Sequence, residues 1–264
     1  MRSVSCWKKN FLGEKMEKIR FLNTWVNNFS MEECLDAIEQ KIISAEKSYL
    51  VAVNSDVILK IEQDEQLKEV TDHADFVIVD GKPLIWIAKK QGIPIEEKVS
   101  GSDLVPLLCA RAAEKGYSVF ILGGKEGVAD QAKQKLESML PDIKIVGTYA
   151  PSLGFEKDNV EVKKINNLIT SAAPDILLVC LGCPKQEKFI YENIYNYNAK
   201  ISICAGATVD FLAGNIKRAP KWMSNHGLEW LFRFFQEPRR LFKRYFIEDP
   251  KIFKLAKKYK KQQS

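Results

Sequence analysis

The sequence predicts an α/β protein: a mostly parallel sheet with helices on both faces, followed by a helical, basic C-terminal appendage. Three observations lead there. Six short apolar runs of buried-strand length, at 49–53, 76–79, 119–122, 143–146, 176–181 and 201–204, are separated by stretches of helical period. The runs are apolar almost throughout, which suits strands covered on both faces. The charge is also divided along the chain. Of a net +6, residues 217–264 hold 14 Lys and Arg against four acids, with 10 of the aromatics, and the body before them is slightly acidic.

Taken in order, residues 1–15 carry scattered basic side chains and short apolar pieces without the continuous apolar core of a signal peptide, and are expected to form a weakly ordered extension. Ser30-Met31-Glu32-Glu33 has the S-x-x-E form of a capping box and should open a helix reaching about Ser44. Between the later strands, Val105, Leu108 and Ala112, then Val128, Ala132, Leu136 and Leu140, then Ile165, Leu168, Ile169 and Ala172 mark helices. Lys217-Arg218-Ala219-Pro220 is the expected boundary. It divides an α/β domain over 16–216 from an appendage over 217–264. In the appendage, Leu228, Leu231, Phe232 and Phe235 fall at helical spacing, and Pro238 ends that helix and opens the next.

Composition excludes several classes. With 46% hydrophobic and 28% charged residues the chain is an ordinary globular protein, neither disordered nor collagen-like. No apolar run approaches 18 residues, so no span of a bilayer is expected. Six scattered cysteines lack a regular framework and read as reduced thiols.

In parallel sheets ligands bind beyond the carboxyl ends of the strands, so the residues after each apolar run are the ones to read for chemistry. Asp80 stands at such an end beside Gly81, placed to act as a general base or to hold a sugar hydroxyl; the same position also suits a cap for a helix over 83–89. Asn54 follows the first run, as a ligand or a cap. Gly123 and Gly124 form a strand-to-helix turn that can aim backbone N–H groups at a phosphate. Gln186 projects from the first turn of a helix at the same edge. Gly206 permits close approach after the sixth run, and Asp210 is an anion near a helix N-terminus. Cys180-x-x-Cys183 has redox spacing, but Cys180 falls inside the strand, away from the turn where a thiol would be activated. With two histidines and no Asp-x-Asp pair, no metal site is expected, and no G-x-S-x-G marks a serine hydrolase.

An ordered set of these strings resembles the bacterial WecG/TagA/CpsF glycosyltransferases. It comprises Asn54-Ser55-Asp56, Ala74-Asp75 through Asp80-Gly81, Gly101-Ser102-Asp103-Leu104, Leu122-Gly123-Gly124, Pro174-Asp175-Ile176-Leu177, Leu181-Gly182-x-Pro184-Lys185-Gln186-Glu187, Asp210-x-Leu212-Ala213-Gly214, Lys217-Arg218-Ala219-Pro220 and Gly227-Leu228-Glu229-Trp230. The resemblance covers about residues 20–250. It implies a Rossmann-like fold and an inverting, metal-independent transfer without a cofactor. The sugar, typically N-acetylmannosamine, would pass from a UDP-sugar donor to a polyprenyl-diphosphate-linked saccharide acceptor in teichoic acid or other surface polysaccharide synthesis. It further implies a cytoplasmic protein peripheral on the inner face of the cell membrane, whose appendage meets the anionic membrane surface and completes the active site.

On the residues, the resemblance makes Asp80 the catalytic base, puts Gln186 at the active site, and matches Arg233, Arg240 and Lys243 to appendage cations that neutralise diphosphate. Two positions depart from the pattern. Ala52 stands where members often carry Thr, and Lys98 replaces an Arg, keeping the charge while losing the planar fork that grips phosphate.

Two other classes stay open on the residues alone. A nicotinamide-dependent oxidoreductase would need a fingerprint glycine turn early in the chain, and Gly123 sits in the middle. A non-catalytic nucleic-acid-binding protein would use the basic tail to track phosphates, although Phe and Trp at helical spacing suit burial or an interface better, and no nucleic-acid partner is expected. For the tail itself, the alternative is packing on its own domain or on a neighbouring subunit of a homo-oligomer.

Overall fold

The computed structural model describes residues 17–220, 223 and 228–263; the extension expected over 1–15 lies outside them. A short antiparallel hairpin of β1 (Ile19–Phe21) and β2 (Thr24–Val26) precedes α1 (Met31–Ser44). The capping box forms at the start of α1. Ser30 Oγ accepts from the Glu33 N–H (3.3 Å), and Glu33 Oε2 accepts from the Ser30 N–H (2.7 Å). Alternation then begins: β3 (Ser48–Val53), α2 (Ser55–Ile61), α3 (Glu65–Asp72), β4 (Phe76–Val79), α4 (Lys82–Gln91) and α5 (Gly101–Lys115). It continues through β5 (Ser118–Gly123), α6 (Val128–Met139), β6 (Lys144–Tyr149), α7 (Asn159–Ala172), β7 (Ile176–Cys180), α8 (Lys185–Asn193), β8 (Ile201–Cys204) and α9 (Thr208–Ala213).

Six of the strands make one sheet in the order β4-β3-β8-β7-β5-β6, every pair parallel. Because successive strand residues point to opposite faces, each run feeds two cores. Val51, Val53, Leu122, Leu177 and Val179 pack beneath α2, α3, α4, α7 and α8. Leu50, Ile78, Ile121, Leu178 and Ile203 pack beneath α1, α5, α6 and α9. Burial on both sides is the reason the strands read as continuous apolar runs. The chain leaves β5 toward β6 and β7 toward β8, in opposite directions along the sheet, which opens a crevice at the carboxyl edge between them. There Gly123, at φ 117°, lies so close to β7 that a Cβ on it would sit 2.4 Å from the Cys180 carbonyl oxygen.

The appendage has two parts. Helix α10 (Glu229–Gln236), α11 (Pro238–Lys243) and a π-helical turn at Arg244–Glu248 lie over the carboxyl edge, while α12 (Lys251–Gln263) returns to the domain. Ile252, Leu255 and Ala256 of α12 are buried in the core that also contains α2 and α4. Gln91 Nε2 donates to the Ala256 carbonyl (3.0 Å), and Glu62 receives Lys258 Nζ (2.6 Å) and Tyr259 Oη (2.9 Å). By contrast α10, α11 and the π turn leave Phe235, Phe242 and Ile247 72%, 54% and 51% exposed. Among the described residues no helix is long and apolar enough to cross a membrane.

Docking of α12 is thus a packing interaction with a measurable size. Leu255→Ala should weaken it by about 2–4 kcal/mol, the usual range for emptying a buried leucine site. In hydrogen exchange, amides of 251–263 should lose protection while those of the central strands keep theirs; unchanged protection in α12 would contradict the assignment.

Candidate active site

Asp80 is set by the backbone around it. Its N–H donates to the Val53 carbonyl (2.8 Å), tying the end of β4 to the end of β3, and Gly81 at φ 134° turns the chain into α4. Gly81 caps α4 without any side-chain bond, so the carboxylate of Asp80 is not a helix cap. It accepts instead from the N–H of Gly101, the first residue of α5. Burial pushes the carboxyl up to about 6. Glu229 and Asp103 push the same way, and Lys98 and the Gly101 N–H act against them.

This carboxyl opens into a cleft of about 470 Å³ between the strand ends and the appendage. Its floor includes Asn54, Lys98, Ser100 and Ser102; its other wall is built by Glu229, Trp230, Arg233, Arg244, Tyr245 and Phe246. Asn54 caps α2, its Oδ1 accepting from the Val57 N–H (3.1 Å), and the residue also lines the cleft. Lys98 Nζ lies 3.5 Å from Asp103 Oδ2 and 3.7 Å from Glu229 Oε2. Asp103 is also bound by Ser100 Oγ and by Arg218. Burial alone would raise its carboxyl, yet these partners hold it below the usual carboxylate range.

Two guanidinium groups in the wall are incompletely bonded. Arg233 Nε and Arg244 Nε are buried and make no hydrogen bond, with Arg233 over the Phe211 ring (5.3 Å) and Arg244 over that of Tyr245 (5.8 Å). Buried N–H groups without acceptors are costly, and an anion entering the cleft would supply them. Nearby Asp249 carries a buried Oδ1 without a hydrogen bond, and its carboxyl is pushed up to about 6, chiefly by burial.

The other expected site residues fall into separate groups. Gln186 is 5% exposed, and both ends of its amide are bonded within the protein. Oε1 accepts from the Gly206 N–H (3.0 Å), and Nε2 donates to Glu187 Oε1 (2.8 Å). It therefore joins the start of α8 to the turn after β8. Glu187 is wholly buried, and that burial raises its pKa. Gly123 and Gly124 form the positive-φ turn at the end of β5, but contrary to the phosphate-binding expectation the Gly124 N–H donates to the Cys180 carbonyl (3.1 Å), and the space beside the two glycines is filled by Cys180, Val128 and Val209. Asp210 belongs to a charge cluster with Glu237, Arg240, Lys125 and Arg233; burial first, then Glu237, raises its pKa. Arg240 forks onto Glu237 through Nε (2.8 Å) and Nη2, and Lys243, 76% exposed, faces Glu248 (3.3 Å). Of the three appendage cations expected at the site, Arg233 alone lines the cleft.

Arg244 and Asp249 in the cleft were not singled out by sequence reasoning, and Glu229 entered only within a motif. Nothing local distinguishes Arg244 from Arg239, Arg240 and Lys243; helix phase alone decides which of them faces inward. Redox chemistry finds no support at Cys180 and Cys183. Burial raises both thiols, Cys180 to about 12, and neither is in a disulfide. Among the described residues, no three His, Cys, Asp or Glu side chains gather in a way that could hold a metal ion.

Comparison with known proteins agrees with this geometry. The profile of the family described as "Glycosyl transferase WecG/TagA/CpsF family" matches residues 19–264. A Bacillus subtilis protein named N-acetylglucosaminyldiphosphoundecaprenol N-acetyl-beta-D-mannosaminyltransferase is 29% identical over 228 residues, covering 86% of this chain and 85% of the relative. A Bacillus spizizenii protein of the same name is 30% identical over 193 residues, 73% of each chain. A match that runs through the α/β domain and the whole appendage, on a parallel sheet with a carboxylate at its ligand edge, establishes that this chain is a glycosyltransferase of the WecG/TagA/CpsF family.

Proposed function

We propose that the protein transfers an N-acetylmannosaminyl group from a UDP-linked donor to an N-acetylglucosaminyl-diphosphate-polyprenol acceptor, with inversion and without a metal, in the synthesis of teichoic acid or a related surface polymer. The observation that carries this reading is the buried Asp80 carboxyl facing, across one cleft, guanidinium groups whose Nε atoms make no hydrogen bond, Arg244 Nε having only Asp249 Oδ2 at 3.8 Å. Acceptor and sugar come from the names of the relatives, which also specify a β linkage. A single displacement on an α-linked sugar nucleotide gives that linkage.

In this reaction the acceptor hydroxyl oxygen attacks the anomeric carbon as the bond from that carbon to the β-phosphate oxygen breaks. Asp80 takes the hydroxyl proton and UDP leaves with the bonding electrons. General-base catalysis of this kind is typically worth about 10² to 10⁴ in rate. A carboxyl raised to about 6 is a stronger base than a solvated one and is still ionised at neutral pH. Arg233 and Arg244 offer positive charge to diphosphate in the cleft, and the turn at Gly206, where a Cβ would meet nothing within 4 Å, allows close approach of the nucleotide. Lys98 and Asn54 contact substrate from the floor. Asp210, Arg240 and Lys125 form a charged rim on the nucleotide side, and Gln186 shapes the site through the Gly206 turn. Exposed aromatic side chains on α10 and α11, among Lys and Arg, suit a peripheral attachment to the anionic inner leaflet, where the lipid-linked acceptor resides.

Three outcomes test this. Asp80→Asn should lower turnover by about 10² or more. Because the folded carboxyl has the higher pKa, its ionisation removes stability as pH rises from about 4 to about 6; the Asn variant should therefore melt no lower than the parent at pH 8. Turnover within threefold of the parent would remove Asp80 as the base. Second, release of UDP should persist in excess EDTA; a strict Mg²⁺ or Mn²⁺ requirement would overturn the metal-free mechanism. Third, replacing Phe235, Phe242 and Ile247 together by Ser should abolish sedimentation with phosphatidylglycerol vesicles while leaving thermal unfolding unchanged. Undiminished vesicle binding would remove the membrane role of this surface.

A further inference from the structure

The appendage brings a carboxylate as well as cations to the cleft. Glu229, in the first turn of α10, reaches Lys98 from above, and Asp103, in the first turn of α5, reaches it from the side, at 3.7 and 3.5 Å. Asp103 is further held by Arg218 and Ser100, which fixes one end of this chain of charges. An ammonium has three donors and no preferred plane, so its position follows the carboxylates around it. Asp80 lines the same cleft and is held by the Gly101 N–H.

We propose that Glu229 is a positioning residue for the base: delivered by the appendage, its carboxylate shares the Lys98 ammonium with Asp103 and so keeps it from closing onto Asp80. The inference rests on the reading of Asp80 as the base. A Lys98 clamped on Asp80 would hold the carboxylate as an ion pair, a weaker proton acceptor. With Lys98 drawn to Glu229, the acceptor's proton has an unencumbered oxygen to go to. The charged groups around the cleft are Lys82 at the start of α4, Lys98 and Asp103 at the start of α5, Glu229 and Arg233 on α10, and Arg244 and Asp249 at the π turn. Within that set Glu229 and Asp103 push the Asp80 carboxyl up and Lys98 pushes it down. Placement of the appendage thereby sets the strength of the base on the sheet.

The test is the pH dependence of kcat/KM for UDP release by the full chain, with UDP-N-acetylmannosamine and a short-chain N-acetylglucosaminyl-diphosphate lipid. In Glu229→Gln the acid limb should move roughly one pH unit lower, and the plateau should fall roughly threefold to tenfold, since a weaker base transfers the proton less readily. In a Lys98→Met background the same substitution should move the limb clearly less, because the residue acts through the ammonium. A limb that stays in place in Glu229→Gln, or moves equally in both backgrounds, overturns the proposal. So does a limb that vanishes with activity as in Asp80→Asn, which would make Glu229 the base itself. If Glu229→Gln fails to fold, Lys98→Met alone should move the limb upward, and an unmoved limb is the overturning result. Failure of the underlying reading looks different: Asp80→Asn would then keep the parental limb.

Discussion

A sheet whose strands all run the same way, covered on both faces, leaves one edge at which side-chain chemistry can gather. Here that edge is where β3, β4, β5 and β8 deliver Asn54, Asp80, Gly123 and Gly206, and where α2 and α5 begin. Everything functional follows from this constraint. The polar groups at the edge lie against a hydrophobic interior on one side, and the protein must supply the other side from elsewhere in the chain. The appendage is that other side, and its residues meet the edge without any strand pairing to guide them.

Such an arrangement makes the cleft electrostatically unusual for a protein with a basic tail. Its charges are mixed: Asp80, Lys98, Asp103 and Glu229, then Arg233 and Arg244. Most of the tail's Lys and Arg lie outside it. Arg240 is matched by Glu237, and Lys258 by Glu62. Net charge therefore says little about the site; the incompletely bonded guanidinium groups say more, because a buried donor without an acceptor is costly and an anion in the cleft would relieve that cost.

Much of the fold was legible because the double-sided burial wrote itself as apolar runs, and five of the six runs end within a residue of the observed strand ends. Asp80, Asn54 and the glycine turns were legible for the same reason, being the first polar or small residues after those runs. The hairpin of β1 and β2 was not, since three-residue strands show no period that can be told from a loop. In α12 the spacing of Ile252, Leu255, Ala256 and Tyr259 is that of a buried helix face, but six lysines mask it and favour reading a uniformly basic tail. The meeting of Glu229 with Lys98 joins segments far apart in the chain, and no local pattern announces it.

The return of α12 to the domain, with Arg218 bound to Asp103 and Lys217 to Gln236, makes α10 and α11 a strap held at both ends. A segment hanging from one end would search a wide volume before covering the site, and each closure would cost the entropy of that search. Fastened twice, α10 and α11 stay at high effective concentration over the edge, and that entropy is lost once, on folding. The cleft is then assembled before any substrate arrives, and ordering is not repeated in each turnover.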